Sequence, residues 1–330
     1  MCFNASDFIL QSIQSKVIQF DELAIKLYNH QVKNNPTFAK YLKLINAPKV
    51  ITSIHEINFL PITFFKSHQV ITGNFIPTKI FTSSSTTGTI PSKHYVSNIE
   101  IYEKSYLTAF GINYGSPTDY TFLYLLPNYL ERTGSSLIEM AEGLHRKSKK
   151  NHNPYYLYDF EKLANDIDLF KKKNQKIFLL GVTYALLDFA EKHSSNMHGH
   201  IVMETGGMKG RKEELTRVQI HSELKKQFNL QHIHAEYGMT ELLSQAYSKN
   251  EGLYNTPPWM KIYITDPNDP FTILPIGKTG IVNIIDLANI ESCAFIQTQD
   301  LGKINPDNTF EIIGRVDFSE IRGCNLLYVG

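Results

Sequence analysis

The chain has 330 residues, room for about two domains at roughly 150 residues each, and 42% of it is apolar, so it can build a full core without a disulfide or metal staple. Thirty-three basic residues against 32 acidic ones leave a formal net charge of +1, which removes the overall field that would draw it to nucleic acid or anionic lipid. Cys2, Cys293 and Cys324 are too few for a secreted disulfide scaffold, the start lacks the basic-then-apolar order of a signal peptide, and the longest uncharged apolar stretch, at 177–187, is well short of a membrane span, so a cytoplasmic protein is expected.

The first 45 residues read as helix, because Ile9, Ile13, Val17, Phe20, Ala24 and Leu27 form one apolar stripe at spacings of three and four. After Pro48 comes a mixed stretch that Pro61 keeps from being a long helix. Strand-like segments follow at 79–82, 121–126, 176–181, 200–204 and 232–237, alternating with helical patterns at 98–110, 135–147, 159–172, 184–193 and 213–228. Such alternation predicts an α/β fold with a mostly parallel, helix-covered sheet over residues 1–254. From 255 to 330 the runs WMKIYITD, TGIVNIIDLAN, CAFIQTQD and TFEIIGRVD, separated by DPNDP, GKTG and NPDN turns, predict a β-rich subdomain. The basic run at 145–154 reads as a solvated loop.

Six consecutive hydroxyl residues, Thr82, Ser83, Ser84, Ser85, Thr86 and Thr87, precede Gly88 and follow a short β-branched strand. Such a loop offers O–H and backbone N–H donors, and Lys93 adds a positive charge, a combination suited to nucleotide phosphates. Standing alone it would read equally well as a flexible Ser/Thr linker. It is not a Walker A loop: the one Gly-Lys-Thr, at Gly277, has Thr272 where that motif needs glycine. Tyr237-Gly-Met-Thr240-Glu241 closes a strand, Thr298-Gln-Asp300 ends another, and Gly314-Arg315-Val-Asp317 precedes Arg322-Gly-Cys324. His198 and His200, and then His232, His234 and Glu236 along one strand, have the spacing of metal ligands. Three ligands on one strand rarely converge on one ion, so His94 and His234 are read instead as lining a pocket.

In this order these motifs resemble the adenylate-forming enzymes, the superfamily of acyl-CoA synthetases and adenylation domains. The hydroxyl loop is similar to that family's phosphate loop, YGMTE to its Tyr-Gly-x-Thr-Glu motif, Asp300 to its ribose-binding Asp, GRVD to its hinge, and Glu204-Thr-Gly206-Gly207 to its adenine-side segment. Within the superfamily, PITFFKS at 61–67, LLGVTYALLDFA at 179–190 and RGCNLL at 322–327 most resemble the acyl-protein synthetase family, the fatty-acid-activating component of bacterial luciferase reductase systems. Phenylacetate-CoA-ligase-like enzymes share the same motifs.

The resemblance implies ATP- and Mg²⁺-dependent formation of an acyl-adenylate from a carboxylic, fatty acid, then acyl transfer to Cys324, with an acyl-acceptor or reductase protein as partner. Glu241 is implied as the magnesium ligand, Thr240 as a donor to the α-phosphate, and Tyr237 as a flat face for adenine. Arg322 lies two residues from Cys324 and could lower its thiol pKa, although a small buried cysteine near a terminus is the plain alternative. The sequence ends soon after the hinge, so the family's lid lysine is expected to be absent, leaving Lys93, Arg315 and Mg²⁺ as cations for the reacting phosphorus. A short CoA ligase and a catalytically degenerate acyl-carrying scaffold are the competing readings. The acyl pocket is expected from Phe64, Phe65, Tyr184, Leu187 and Met239.

Overall fold

Asn35 and Pro36 divide the N-terminal helical stretch. In a computed structural model of the chain, which describes residues 13, 19–84, 90–127, 134–206 and 215–316, α1 (Phe20–Asn34) stops there and α2 (Pro36–Leu44) begins. The Asn35 side chain accepts from Phe38 N at 3.0 Å and Pro36 takes the first helical position, where its missing N–H costs nothing. Ile13, Ala24 and Leu27 of the predicted stripe are buried, whereas Ile9 and Val17 lie outside the described residues.

Downstream come β1 (Leu60–Pro61), α3 (Phe64–Ser67), β2 (Lys79–Thr82), β3 (Lys93–Val96), α4 (Ile99–Tyr114) and β4 (Thr121–Leu125). Next are α5 (Ser136–Ser148), α6 (Phe160–Lys172), β5 (Ile177–Val182), α7 (Thr183–Lys192), β6 (Ile201–Thr205), α8 (Arg217–Phe228) and β7 (His234–Tyr237). The strands β8 (Ala246–Ser248), β9 (Tyr254–Asn255), β10 (Met260–Thr265), β11 (Gly280–Asp286), β12 (Phe295–Ile304) and β13 (Phe310–Arg315) complete the described part.

Eleven of these strands form one sheet. β4, β5, β6 and β7 run parallel, and every residue of β4, β5 and β6 is buried, as expected for strands covered on both faces. Beyond β7 the sheet turns antiparallel through β8, β9, β13, β12, β11 and β10, and β1 pairs in parallel with β12, Leu60 opposite Ile296. The β-rich segment thus continues the parallel sheet through Phe310 of β13 opposite Tyr254 of β9, whose rings stack at 5.3 Å. A second apolar joint brings the N-terminal helices onto β12: Tyr28 lies 5.1 Å and Phe38 6.1 Å from Phe295.

The 79–82 segment departs from the alternating pattern. Rather than joining the main sheet it pairs antiparallel with β3 as a separate two-stranded ribbon, because the hydroxyl-rich loop reverses the chain between them. The ribbon brings the two ends of that loop together, with Thr82 opposite Lys93.

Candidate active site

Ser83 and Ser92 pin the base of the hydroxyl loop: Ser83 N donates to Ser92 O at 3.1 Å, and Ser92 N donates to the Ser83 hydroxyl at 2.9 Å. Thr82 is half-buried, and its N–H donates to the Gly134 carbonyl at 2.8 Å. Gly134 has a φ of +87°, and a Cβ there would meet Ile80 O at 2.8 Å, so the approach requires glycine. Ser84 and Lys93 are exposed. Ser85, Thr86, Thr87 and Gly88 of the loop lie outside the described residues, as do Gly207, Asp317 and Cys324.

The YGMTE segment leaves the carboxyl end of the last parallel strand and crosses to antiparallel β8, the position where open α/β sheets take ligands. A Cβ at Gly238 would displace the Glu236 carboxylate beside it. Four groups hold this crossing. His94 of β3 is fully buried, and its Nδ1 donates to Thr240 O at 2.8 Å, which fixes the tautomer; burial drives its pKa down to about 4, so it stays neutral. Asn289 Nδ2 donates to Glu241 O at 2.7 Å. Asp286, at the end of β11, accepts from Leu243 N at 2.8 Å, from the Ser244 hydroxyl at 2.6 Å and from Ala288 N at 3.1 Å. Ser244 in turn accepts from Trp259 Nε1 at 3.0 Å.

So held, Glu241 sits 5% exposed with a carboxyl that burial pushes above its ordinary pKa. Ser92 and the charges of Arg315 and Lys66 pull it back only in part. His94, next to Lys93 in the ribbon that closes the hydroxyl loop, thus links the base of that loop to the motif. Asp300, half-buried on β12, accepts from the Tyr237 hydroxyl at 2.7 Å and pairs in register with Arg315 of β13; burial raises its carboxyl as well. Arg315 is exposed and its guanidinium reaches Gln299 Oε1 at 3.4 Å. The Tyr237 ring packs against Tyr254 and Phe310 at 5.9 and 5.7 Å. Next to Asp300, Gln297, Thr298 and Gln299 line a cleft of about 330 Å³ together with Pro61, Ile62 and Thr63 of the paired β1 segment.

Gly206 lies at the end of β6, where its carbonyl accepts from the Thr183 hydroxyl at 2.9 Å. The same hydroxyl donates to Glu204 Oε2 at 2.7 Å, and Arg217 Nη1 donates to Glu204 Oε1 at 3.1 Å. His221 Nε2 stands 3.6 Å from that oxygen, too far for a hydrogen bond. Of the residues expected around an acyl chain, Phe65 packs edge-on to His94 at 5.9 Å and half-buried Met239 lies in the motif crossing. Tyr184 and Leu187 are buried on α7 beyond the carboxyl end of β5. The histidines are otherwise engaged: His200 Nδ1 accepts from Ile177 N at 3.2 Å, and His234 Nδ1 meets the Tyr114 hydroxyl at 3.2 Å. Among the described residues, no three His, Cys, Asp or Glu side chains are grouped to hold a metal ion.

Patterning does not single out Ser92, Asp286, Asn289 or Lys66. Asp286 leaves a trace, an acid closing a seven-residue strand that is otherwise entirely buried. Lys66 leaves none beyond its place in PITFFKS.

A parallel sheet prolonged by antiparallel strands, with a Thr-Glu crossing at the seam, is the architecture of the adenylate-forming enzymes. An open conformation of 2-hydroxyisobutyryl-CoA ligase, in complex with 2-HIB-AMP and CoA, matches with a TM-score of 0.68 over 90% of this chain and 74% of that one, at 12% identity. ATP-bound MatB from Rhodopseudomonas palustris matches with a TM-score of 0.54 over 72% of this chain, at 17% identity. The match takes in 47% of the MatB chain, so the protein spans about half the length of that relative. No curated protein matches the chain. The family model described as "Acyl-protein synthetase, LuxE" matches residues 1–328, and the chain belongs to that family.

Proposed function

We propose that the protein activates a carboxylic acid, a fatty acid in its native setting, as an acyl-adenylate and then passes the acyl group to the Cys324 thiol. In the first step a carboxylate oxygen bonds to the α-phosphorus of ATP and pyrophosphate leaves. In the second the thiolate sulfur bonds to the acyl carbon, AMP leaves and a thioester remains. One observation carries this reading: the buried Glu241 carboxyl, raised by that burial, lies in the crossing that His94, of the ribbon closing the hydroxyl loop, holds through Thr240 O.

The donor set suits Mg²⁺, which accepts one or two carboxylates together with substrate phosphates and water. Glu241 would hold it with the triphosphate, and the ion, when bound, lowers the charge of the phosphates. The protein's own groups do the rest. The loop hydroxyls and Thr240 donate to phosphate oxygens, His94 and Asn289 keep the Thr240–Glu241 peptide in position, and Asp300 accepts from the ribose hydroxyls with Tyr237 fixing its other oxygen.

The LuxE family assignment favours a protein thiol as acyl acceptor and a reductase as partner in the cytoplasm, and none of the described helices is long and apolar enough to cross a membrane. In this scheme residues 1–254 form the adenylating core, and 255–330 a β-rich subdomain carrying Asp300, Arg315 and the acceptor cysteine. ATP–pyrophosphate exchange with a panel of carboxylic acids tests it. Wild type is expected to exchange and to form a hydroxylamine-labile acyl-enzyme, and Cys324→Ala to keep exchange but lose the label. Absence of exchange with every acid defeats the proposal, and unlabelled protein that makes acyl-CoA replaces it with CoA ligation.

A further inference from the structure

Charge that balances over the whole chain is unevenly placed in its N-terminal part. Between Glu22 and Glu56 there is no acidic residue, while Lys26, Lys33, Lys40, Lys43 and Lys49 all fall in that interval. Lys26 reaches back to Glu22, but the other four are exposed and enter none of the ion pairs found among the described residues. They lie on the α1–α2 hairpin and the turn that follows it. Helix dipoles account for Lys33 and Lys43, each in the last turn of its helix, and leave Lys40 and Lys49 unexplained.

The same surface is also apolar. Leu44 follows Lys43 and Val50 follows Lys49, and these two side chains are 70% and 69% exposed. Beside them opens a cleft of about 520 Å³ lined by Val32, Ala39, Leu42 and Ala47 together with Lys43 and Lys49. The inner side of the hairpin is committed to the sheet: Tyr28 and Phe38 pack on Phe295 of β12, and Tyr41 meets Phe64 of α3 at 5.4 Å. The fold therefore fixes the hairpin from within and leaves its cations and its apolar residues together on the outside.

We propose that this outer side of the α1–α2 hairpin docks on an anionic lipid bilayer, with the lysines at the head-group phosphates and Leu44 and Val50 at the acyl boundary. Charge complementarity selects that occupant, because a surface that is anionic outside and apolar beneath satisfies both kinds of residue at once. An acidic protein surface would meet the lysines, but the apolar cleft between them suits an acyl chain. The inference does not depend on the adenylation reading. Under that reading it gives a poorly soluble acid a route to the site, since Phe64, which Tyr41 touches, follows Thr63 of the 330 Å³ cleft beside Asp300.

Co-sedimentation of the full chain with vesicles tests the proposal, using phosphatidylcholine alone and phosphatidylcholine with about 30% phosphatidylglycerol. Wild type is expected to bind the anionic vesicles and not the neutral ones, and to release them as salt rises from about 0.1 to about 0.5 M. Lys43→Gln/Lys49→Gln is expected to weaken binding roughly 25-fold, at about fivefold for each surface lysine. Leu44→Gln is expected to weaken it about tenfold at unchanged Tm. Lys172→Gln/Lys173→Gln, an equal loss of charge at the exposed end of α6, should change it less than about threefold. Wild type that ignores anionic vesicles overturns the proposal and leaves adenylation standing. Equal losses in the two lysine pairs overturn it as well, by making net charge the cause. A dimer that Leu44→Gln dissociates, and that does not bind vesicles, overturns it in favour of a second copy of the chain.

Discussion

Glu204 and Glu241 are the same residue type at nearly the same depth, 4% and 5% exposed, at the ends of adjacent parallel strands β6 and β7 or just past them. Burial pushes both carboxyls upward, but at Glu204 the nearby His221, the Arg217 guanidinium and the Thr183 hydroxyl outweigh it and hold the group below its usual range. At Glu241 burial wins, because Ser92, Arg315 and Lys66 compensate only in part. The contrast separates a carboxylate that the fold has satisfied from one left for something else to satisfy. Glu204 ties α8 and the Gly206 turn to the sheet, whereas burial leaves the Glu241 carboxyl raised, as the proposed role for it would need.

Breaking the satisfied carboxylate has the largest expected effect. Arg217→Met leaves Glu204 buried without its guanidinium and should lower stability by about 3 kcal/mol, read as a fall in the denaturant midpoint at unchanged slope. An unchanged midpoint would mean that the Arg217 bond carries no net stability and that the comparison fails. Glu241→Gln should behave in the opposite way. Exchange activity is expected to drop at least ~10²-fold, the usual cost of an electrostatic stabiliser. Stability at pH 8 is expected to rise, because a carboxyl whose folded pKa lies above its unfolded one costs stability when it ionises. A destabilised Glu241→Gln protein would instead make this residue a second structural anchor.

Glu236 lies between the two. It accepts from the Thr205 hydroxyl at 2.5 Å, yet burial, with the Glu204 charge beside it, raises its pKa to about 7. A raised carboxyl contributes stability that is complete below the unfolded pKa of about 4.3 and is lost as pH rises through the folded value. Asp286, raised to about 6 by burial, acts in the same direction. Between pH 5 and pH 8 these carboxyls lower stability while His94 and His234, held near 4 by burial, raise it up to about pH 6.5. The difference profile is therefore the test: Glu236→Gln should remove on the order of 2 kcal/mol of the carboxyl-driven decline. Parallel pH profiles for wild type and Glu236→Gln would show that Glu236 does not titrate in this window.

What could be read from the sequence follows from how local each signal is. Buried strands announce themselves as apolar runs: the segments read at 121–126, 176–181 and 200–204 match β4, β5 and β6 to within a residue at each end. The helix read to Phe110 runs on to Tyr114, because Gly111 is tolerated inside it and Gly115, at φ +81°, ends it. Thr240 and Glu241 were legible because they follow a strand whose apolar run is plain, whereas Asp300, read as ending a strand, lies inside β12, which runs on to Ile304. The groups that hold them were not. Leu60 beside Ile296, His94 beneath Thr240 and Asn289 beneath Glu241 are contacts across 236, 146 and 48 positions, and no period or propensity encodes them. The parallel half is written in runs, whereas the seam between the halves is written in pairs that appear only on folding.

Tyr237→Phe probes that seam most gently. The hydroxyl donates to Asp300 Oδ2 at 2.7 Å, and the ring stays packed between Tyr254 and Phe310 whether or not the oxygen is there. Removing it deletes one hydrogen bond to a carboxylate without opening a cavity, which is worth about 1.5 kcal/mol at most where the acceptor keeps other partners. Asp300 is half-buried, and the Arg315 charge still acts on its carboxyl. If Asp300 holds ribose and Tyr237 only orients it, the variant should raise KM for ATP by roughly three- to tenfold. The acid's KM and the exchange kcat should stay within about twofold of wild type, because the lost interaction is the same in ground and transition states. A fall in kcat at unchanged KM would place the Tyr237–Asp300 pair at the reacting phosphate and move the ribose elsewhere. No change in either would reduce the pair to a strut between β7 and β12, leaving Glu241 alone to distinguish the working end of the sheet from the satisfied one.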